Sequence, residues 1–343
     1  MRRIILTNFQ APGDVVMLTA ALRDLHRCHP GEFLTDVDTD WPELWENNPY
    51  LTPLDRNDPN VQVVECRYPL IELANQRPVH FVHGFIEDLN HQLGLSIRPT
   101  RVAGDIHLST EEKLGPSPVE AITKTQLPYW IIVAGGKFDC TIKWWHFRRW
   151  QVVVDRLRDR IQFVQIGAPE HYHPPLRGVL DLRRRTSHRH LVRLVYHAQG
   201  VLCPVTFLMH LAAAVEAKPG EPSPRPCVVV AGGREPATWE AYPGHRFLHT
   251  IGMLPCCLTG GCWRSRSVPL GDGDRKDRPE RLCLDTVNNL PRCMDMITPE
   301  QVVEAIESYR QSPETPPGAE PAPLNFGSGA SRDVASVDAV GVR

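Results

Sequence analysis

Tyr129-Trp130-Ile131-Ile132-Val133-Ala134 is an unbroken apolar run that stops at Gly135-Gly136-Lys137. A run this short, closed by a glycine pair, reads as a strand buried on both faces, the kind that parallel sheets contain. Downstream the pattern alternates. A helical period covers about Trp145 to Arg158, a strand Gln162–Ile166, a helix His188–His197, a strand Gly200–Cys203, a helix Phe207–Val215 and a strand Cys227–Val230. Short strands alternating with longer helices predict βαβ units. Upstream the same grammar is simpler. Arg2–Phe9 is a strand, Gln10-Ala11-Pro12-Gly13 its turn, and Asp14 opens an apolar helix to about Arg27. Short strands near Phe33–Val37 and Val61–Cys66 and a helix Phe85–Leu93 follow, then a Pro-punctuated crossover over 96–125. The expected class is therefore α/β, with two Rossmann-like domains, 1–120 and 121–311, facing each other across a cleft. In such sheets a ligand sits beyond the carboxyl ends of the strands. Thr298-Pro299-Glu300-Gln301 carries the marks of a capped last helix running to Tyr309. The Pro-, Gly-, Ala- and Ser-rich tail 312–343 is expected to be disordered.

Composition limits the function. The 343 residues carry 38 Lys plus Arg against 40 Asp plus Glu, a formal charge of -2, so no basic field exists for a phosphate backbone and nucleic acid is not an expected partner. No apolar run approaches the roughly 18 residues of a membrane span. The start, Met1 to Asp14, turns polar too soon for a secretion signal, so the expected location is cytoplasmic. Neither glycine turn fits GxxxxGK[ST] or GxGxxG, which argues against a P-loop NTPase and a dinucleotide dehydrogenase.

Candidate chemistry gathers at the turns. Gly13-Asp14 offers a carboxylate at the cleft that could take a proton from a hydroxyl, or simply cap its helix. Gly135, Gly136, Lys137 and Lys143 combine backbone that can approach an anion closely with compact positive charge, as a nucleotide diphosphate requires; a solvated loop is the alternative. Thr206 is the expected cap of a helix whose N-terminus faces the cleft, another anion site. His210, on the apolar face of that helix, is either a core histidine or a donor ligand. After the strand ending at Val230, Glu240 could bind a ribose and Trp239 could stack on a base, or both could simply decorate the rim.

Five of the ten cysteines fall close together, at Cys256, Cys257, Cys262, Cys283 and Cys293. Cys257, Cys262, Cys283 and Cys293, with Cys256 competing for the first position, offer four thiolates suited to one structural Zn or Fe ion. The segment 253–296 is rich in Gly, Pro and Arg, so a metal would supply order that its sequence lacks. Four thiolates leave no open coordination position for water, so the ion's role would be structural.

These segments together resemble glycosyltransferase family 9, the ADP-heptose:lipopolysaccharide heptosyltransferases, coarsely over residues 3–310. The Gly-Asp turn and apolar helix are matched by Pro12-Gly13-Asp14-Val15-Val16-Met17-Leu18-Thr19, the Asn-Pro segment by Asn47-Asn48-Pro49, and the Gly-rich turn with Lys-Trp by Gly135-Gly136 and Lys143-Trp144. The Asp-Thr-Gly-x-x-His-Leu-Ala motif aligns with Val205 to Ala212, with Val205 in place of the Asp and Phe207 in place of the Gly. The resemblance implies a GT-B fold, with the acceptor on the N-terminal side near Gly13 and the nucleotide diphosphate sugar on the C-terminal side. It implies an inverting transfer of heptose or a related sugar, with Asp14 as general base and no catalytic metal. Lys143 and the amides near Gly136 and Thr206 would meet the diphosphate. The cysteine segment is similar in character to the four-cysteine iron site of protein heptosyltransferases acting on autotransporters. The acceptor is a glycan, a lipid-linked sugar or a protein, and assembly into a homo-oligomer is open. A non-catalytic nucleotide-sugar binder and a metal-loop interaction protein are the alternatives.

Overall fold

The computed structural model describes residues 1–124 and 126–311, so the disorder expected of the tail 312–343 falls outside the described residues. The chain opens with β1 (Arg2–Asn8), α1 (Pro12–Cys28), β2 (Phe33–Thr39), β3 (Val61–Glu65) and α2 (Phe81–Leu93). Two short helices, α3 (Thr110–Leu114) and α4 (Pro118–Thr123), occupy the crossover. Then follow β4 (Tyr129–Ile132), α5 (Phe147–Leu157), β5 (Gln162–Gln165), β6 (Leu180–Asp181), α6 (His188–His197), β7 (Gly200–Pro204), α7 (Phe207–Ala214), β8 (Cys227–Gly232), α8 (Ala237–Glu240) and β9 (Arg246–His249). A two-stranded antiparallel ladder of β10 (Thr286–Val287) and β11 (Leu290–Pro291), then α9 (Arg292–Asp295) and α10 (Pro299–Gln311), complete the described chain.

Two parallel sheets organise these elements. The N-terminal sheet has the order β2-β1-β3, and the second has β6-β5-β4-β7-β8-β9. The second order starts in the middle at β4, grows outward to β6, then returns to the other side of β4 with β7. That reversal is a topological switch point, where open α/β sheets leave a crevice beyond their strand ends. The decisive run is confirmed as β4, buried at every position, and its alternate residues serve two cores. Tyr129 and Ile131 face a large core shared with β1, α1, α2, α6 and α7. Trp130 and Ile132 face a smaller one built with α5 and α10. The larger core runs from the N-terminal sheet to one face of the second sheet, giving the two α/β halves across a cleft that the sequence leads one to expect.

Local chemistry moves some boundaries. α1 begins at Pro12, ahead of Asp14, because proline suits the first helical turn and the Asp14 carboxylate reaches back to accept the Ala11 N–H at 2.9 Å. α2 begins at Phe81 rather than Phe85, since His80 Nδ1 accepts the Val82 N–H at 3.2 Å, a cap that histidine rarely supplies. The last helix follows its capping signals: Thr298 N–H donates to Gln301 Oε1 at 2.8 Å, and Gln301 N–H to Thr298 Oγ1 at 3.4 Å. The edge strands β6 and β9 carry little periodic signal and are legible only through their pairing.

Candidate active site

The turns after β1, β4, β7 and β8 converge on one cavity of about 770 Å³. Gly13 and Asp14, Gly135 to Lys137, Lys143, Thr206, His210 and Glu240 all line it. Residues from the first turn of the chain and from one more than 200 positions later thus share a wall.

On the N-terminal side, Asp14 is half-buried at the mouth of α1. Burial raises its proton affinity above the ordinary carboxylate value, while the Ala11 N–H, the Tyr68 hydroxyl, Lys137 and Lys143 pull it back down. Both readings of the residue therefore have a basis, since it caps its helix and also presents a carboxyl to the cavity. Gly13 lets α1 approach α7: a Cβ there would stand 3.1 Å from His210 Cδ2. Tyr68 was not singled out from the sequence, although it lies just past the carboxyl end of β3, where the strand-end rule could have flagged it.

On the C-terminal side, Gly135 has φ +109°, and a Cβ would fall 2.0 Å from the Tyr172 carbonyl oxygen, so only glycine fits this turn. The Gly136 N–H donates to that carbonyl at 2.9 Å, and the Tyr172 N–H returns a bond to Gly136 at 3.1 Å. The Gly136 amide is thus engaged within the protein, which corrects the expectation that it is an open donor for phosphate. Lys137 is exposed at the rim and Lys143 lies deeper. Lys143 Nζ pairs with Glu235 at 2.7 Å, and Glu235 also bonds Arg234. Burial and the nearby Arg234 push the Lys143 proton affinity down. Thr206 caps α7 as expected, accepting the Leu208 N–H at 3.3 Å.

His210 is buried and lies at the junction of the halves, with Nδ1 2.5 Å from the Tyr242 hydroxyl and Nε2 3.5 Å from Glu240 Oε2. Burial first, then Lys143, pushes its pKa down to about 3, so the ring is neutral at pH 7. Glu240 is no rim residue: it is 6% exposed, and burial raises its pKa. Trp239 departs further from expectation. Its ring is 1% exposed and stacked on Phe81 at 5.1 Å, so it belongs to the core and offers no open face to a base.

The cysteine segment lies beside this wall. Cys257 Sγ and Cys293 Sγ crowd Gly233 and Gly232 respectively, at 3.0 and 3.3 Å from where a Cβ would be. Cys257 is buried and its thiol donates to the Thr250 carbonyl at 3.4 Å. Cys256, Cys262, Cys283 and Cys293 lie within electrostatic range of one another. Among the described residues, no three His, Cys, Asp or Glu side chains are drawn together as an ion would hold them. No helix among them is long and apolar enough to cross a membrane.

No family model and no curated protein matches the sequence. Solved structures do. A glycosyl transferase family 9 protein from Veillonella parvula superposes with a TM-score of 0.60 at 15% identity, over 90% of this chain and 96% of that one. The ADP-heptose LPS heptosyltransferase II of E. coli gives 0.56 at 14%, over 90% and 98%. TibC, a dodecameric iron-containing heptosyltransferase from enterotoxigenic E. coli solved with ADP-D-β-D-heptose, gives 0.58 at 18%, over 90% and 76%. At such identities the likeness is one of fold, and the resemblance to family 9 read from the strand-end motifs extends to the GT-B architecture of the whole described chain.

Proposed function

We propose that the protein is a glycosyltransferase that moves a sugar from a nucleotide diphosphate sugar to an acceptor hydroxyl with inversion. The observation that carries this reading is the meeting of Asp14 and Lys143 in one cavity at a sheet's switch point, one from each half of the fold. Residues 1–120 would hold the acceptor and 121–311 the donor. The Asp14 carboxylate takes the acceptor's proton as the acceptor oxygen forms its bond to the anomeric carbon. The bond from that carbon to the phosphate oxygen breaks, and its electron pair leaves with the diphosphate. Lys143, released from Glu235 by the incoming phosphates, neutralises the departing charge, with Lys137 at the rim and the α7 N-terminus at Thr206 assisting. His210 stays neutral and orients the wall between the two centres. The donor found with TibC makes heptose the first sugar to try.

We also propose a structural ion on the cysteine segment, bound by Cys262, Cys283, Cys293 and Cys256. Cys256 is preferred to Cys257 because it is Cys256 that lies within electrostatic range of Cys262, Cys283 and Cys293. The ion would lend the segment order and take no part in the transfer.

Replacing Asp14 with Asn keeps an acceptor for the Ala11 N–H and removes the base. Release of nucleotide diphosphate from a bound nucleotide sugar should fall about 10²- to 10⁴-fold while donor binding persists. The capping bond favours one other reading, a non-catalytic binder in which Asp14 only closes its helix. Undiminished turnover in Asp14→Asn would remove the base from the mechanism, and absence of turnover in the wild type would favour the binder.

A further inference from the structure

In the reaction proposed above, the transferred sugar lies between the cation that meets the diphosphate and the base that takes the acceptor's proton. The side chains between Lys143 and Asp14 are therefore placed against the sugar itself, rather than against the ribose or the base. Two buried carboxyls adjoin this path: Glu235, 4% exposed and paired with Lys143, and Glu240, 6% exposed and within electrostatic range of both Lys143 and Asp14; both follow β8 and line the cavity. Glu235 Oε1 is held by Lys143 and Arg234, but its Oε2 has no hydrogen-bond partner among the described residues. Glu240 Oε2 is likewise unpartnered, 3.5 Å from His210 Nε2. His210 packs on Gly13, so Glu240 is one side chain removed from the Asp14 turn. At the adjoining strand end Val205 is an apolar side chain, 3% exposed, and the Thr206 hydroxyl beside it is engaged in capping α7. Buried carboxylate oxygens without a donor are costly, and a ligand hydroxyl at each would relieve that cost.

We propose that Glu240, with the free oxygen of Glu235, forms the subsite for the transferred sugar, accepting hydrogen bonds from its ring hydroxyls and selecting neutral sugars over acidic ones. The inference rests on the transferase reading of the cleft. A neutral sugar supplies O–H donors to a wall that holds acceptors. A uronic acid would bring a further carboxylate against Asp14 and Glu240, with Arg234 already engaged by Glu235 and Lys143 by the diphosphate, and unpaired like charges in a water-poor cavity repel.

Calorimetric titration of the full chain tests this with ADP and UDP, their glucose and glucuronate conjugates, and ADP-D-β-D-heptose. The wild type should bind a neutral nucleotide sugar more tightly than the parent diphosphate, and bind the glucuronate of the same nucleotide no better than that parent. In Glu240→Gln the affinity for the neutral sugar should fall about tenfold or more, while affinity for the bare diphosphate stays within about twofold and serves as the check on folding. Should Glu240→Gln fail to fold, Glu240→Asp, which keeps the charge and shortens the reach, should show the same selective loss. Equal losses for diphosphate and sugar, no loss for either, or wild-type binding of glucuronate as tight as glucose would each overturn the subsite. If the wild type binds none of the seven probes, the transferase reading fails first and the subsite with it.

Discussion

The Asp14 carboxyl accepts the Ala11 N–H at 2.9 Å, and its burial holds its proton more tightly than an ordinary aspartate does. The sign for stability follows: with the folded-state pKa above the unfolded one, ionisation of Asp14 costs stability at neutral pH, and that cost disappears as pH falls through the folded value. If Asp14 is the base proposed above, its carboxyl must be ionised, so turnover should decline with acidification around a pKa above 3.8, the ordinary value. A pH profile of kcat/KM without an acid limb above that value would contradict the assignment. Gly135 makes a different demand. With φ +109° and a carbonyl oxygen 2.0 Å from its missing Cβ, Gly135→Ala should destabilise the fold by about 2 kcal/mol or more. Denaturant unfolding measures this directly, and a neutral result would mean the turn is more accommodating than its geometry implies. The glycine pair was legible because it ends an apolar run. Tyr68 and the paired role of Glu235 were not, because their meaning depends on which distant side chain lies opposite.

Among the elements, β4 was the most readable, since a strand buried on both faces needs no knowledge of its partners to be seen. α2 was read one turn short because its cap is the imidazole of His80. Trp239 was misplaced for a related reason: α8 is too short to show an apolar period, and only its stacking on Phe81 reveals that it faces inward. The cysteine segment has the weakest regular structure, with one-turn 3-10 helices, two-residue strands and the four-residue α9 around the thiols. If a metal orders it, the purified protein should carry about one Zn or Fe per chain. Cys256→Ser should lose the ion and Cys257→Ser retain it, as read by elemental analysis. Protein purified from metal-replete medium with no bound Zn or Fe would remove the ion from the account.

Across the whole molecule, the fold could be read because strand and helix periods alternate through most of the chain, and parallel sheets follow from that alternation. The site could be read in part, because ligands collect past strand ends and those ends carry glycines, lysines and a capping aspartate. What stayed hidden is how the two sheets face each other. That arrangement buries His210 against Gly13, brings Glu240 within electrostatic range of Lys143 and Asp14, and turns four loops into one cavity. The central claim is that this cavity takes a nucleotide diphosphate sugar. Thermal unfolding in the presence of nucleotide diphosphates and their sugars tests it most directly, since a ligand at about 100 times its Kd adds about 2.7 kcal/mol of stability. A concentration-dependent rise in Tm is expected for one nucleotide and its sugar, retained in Asp14→Asn and lost in Lys143→Ala. No rise with any of them at millimolar concentration, or a rise indifferent to Lys143, would contradict it.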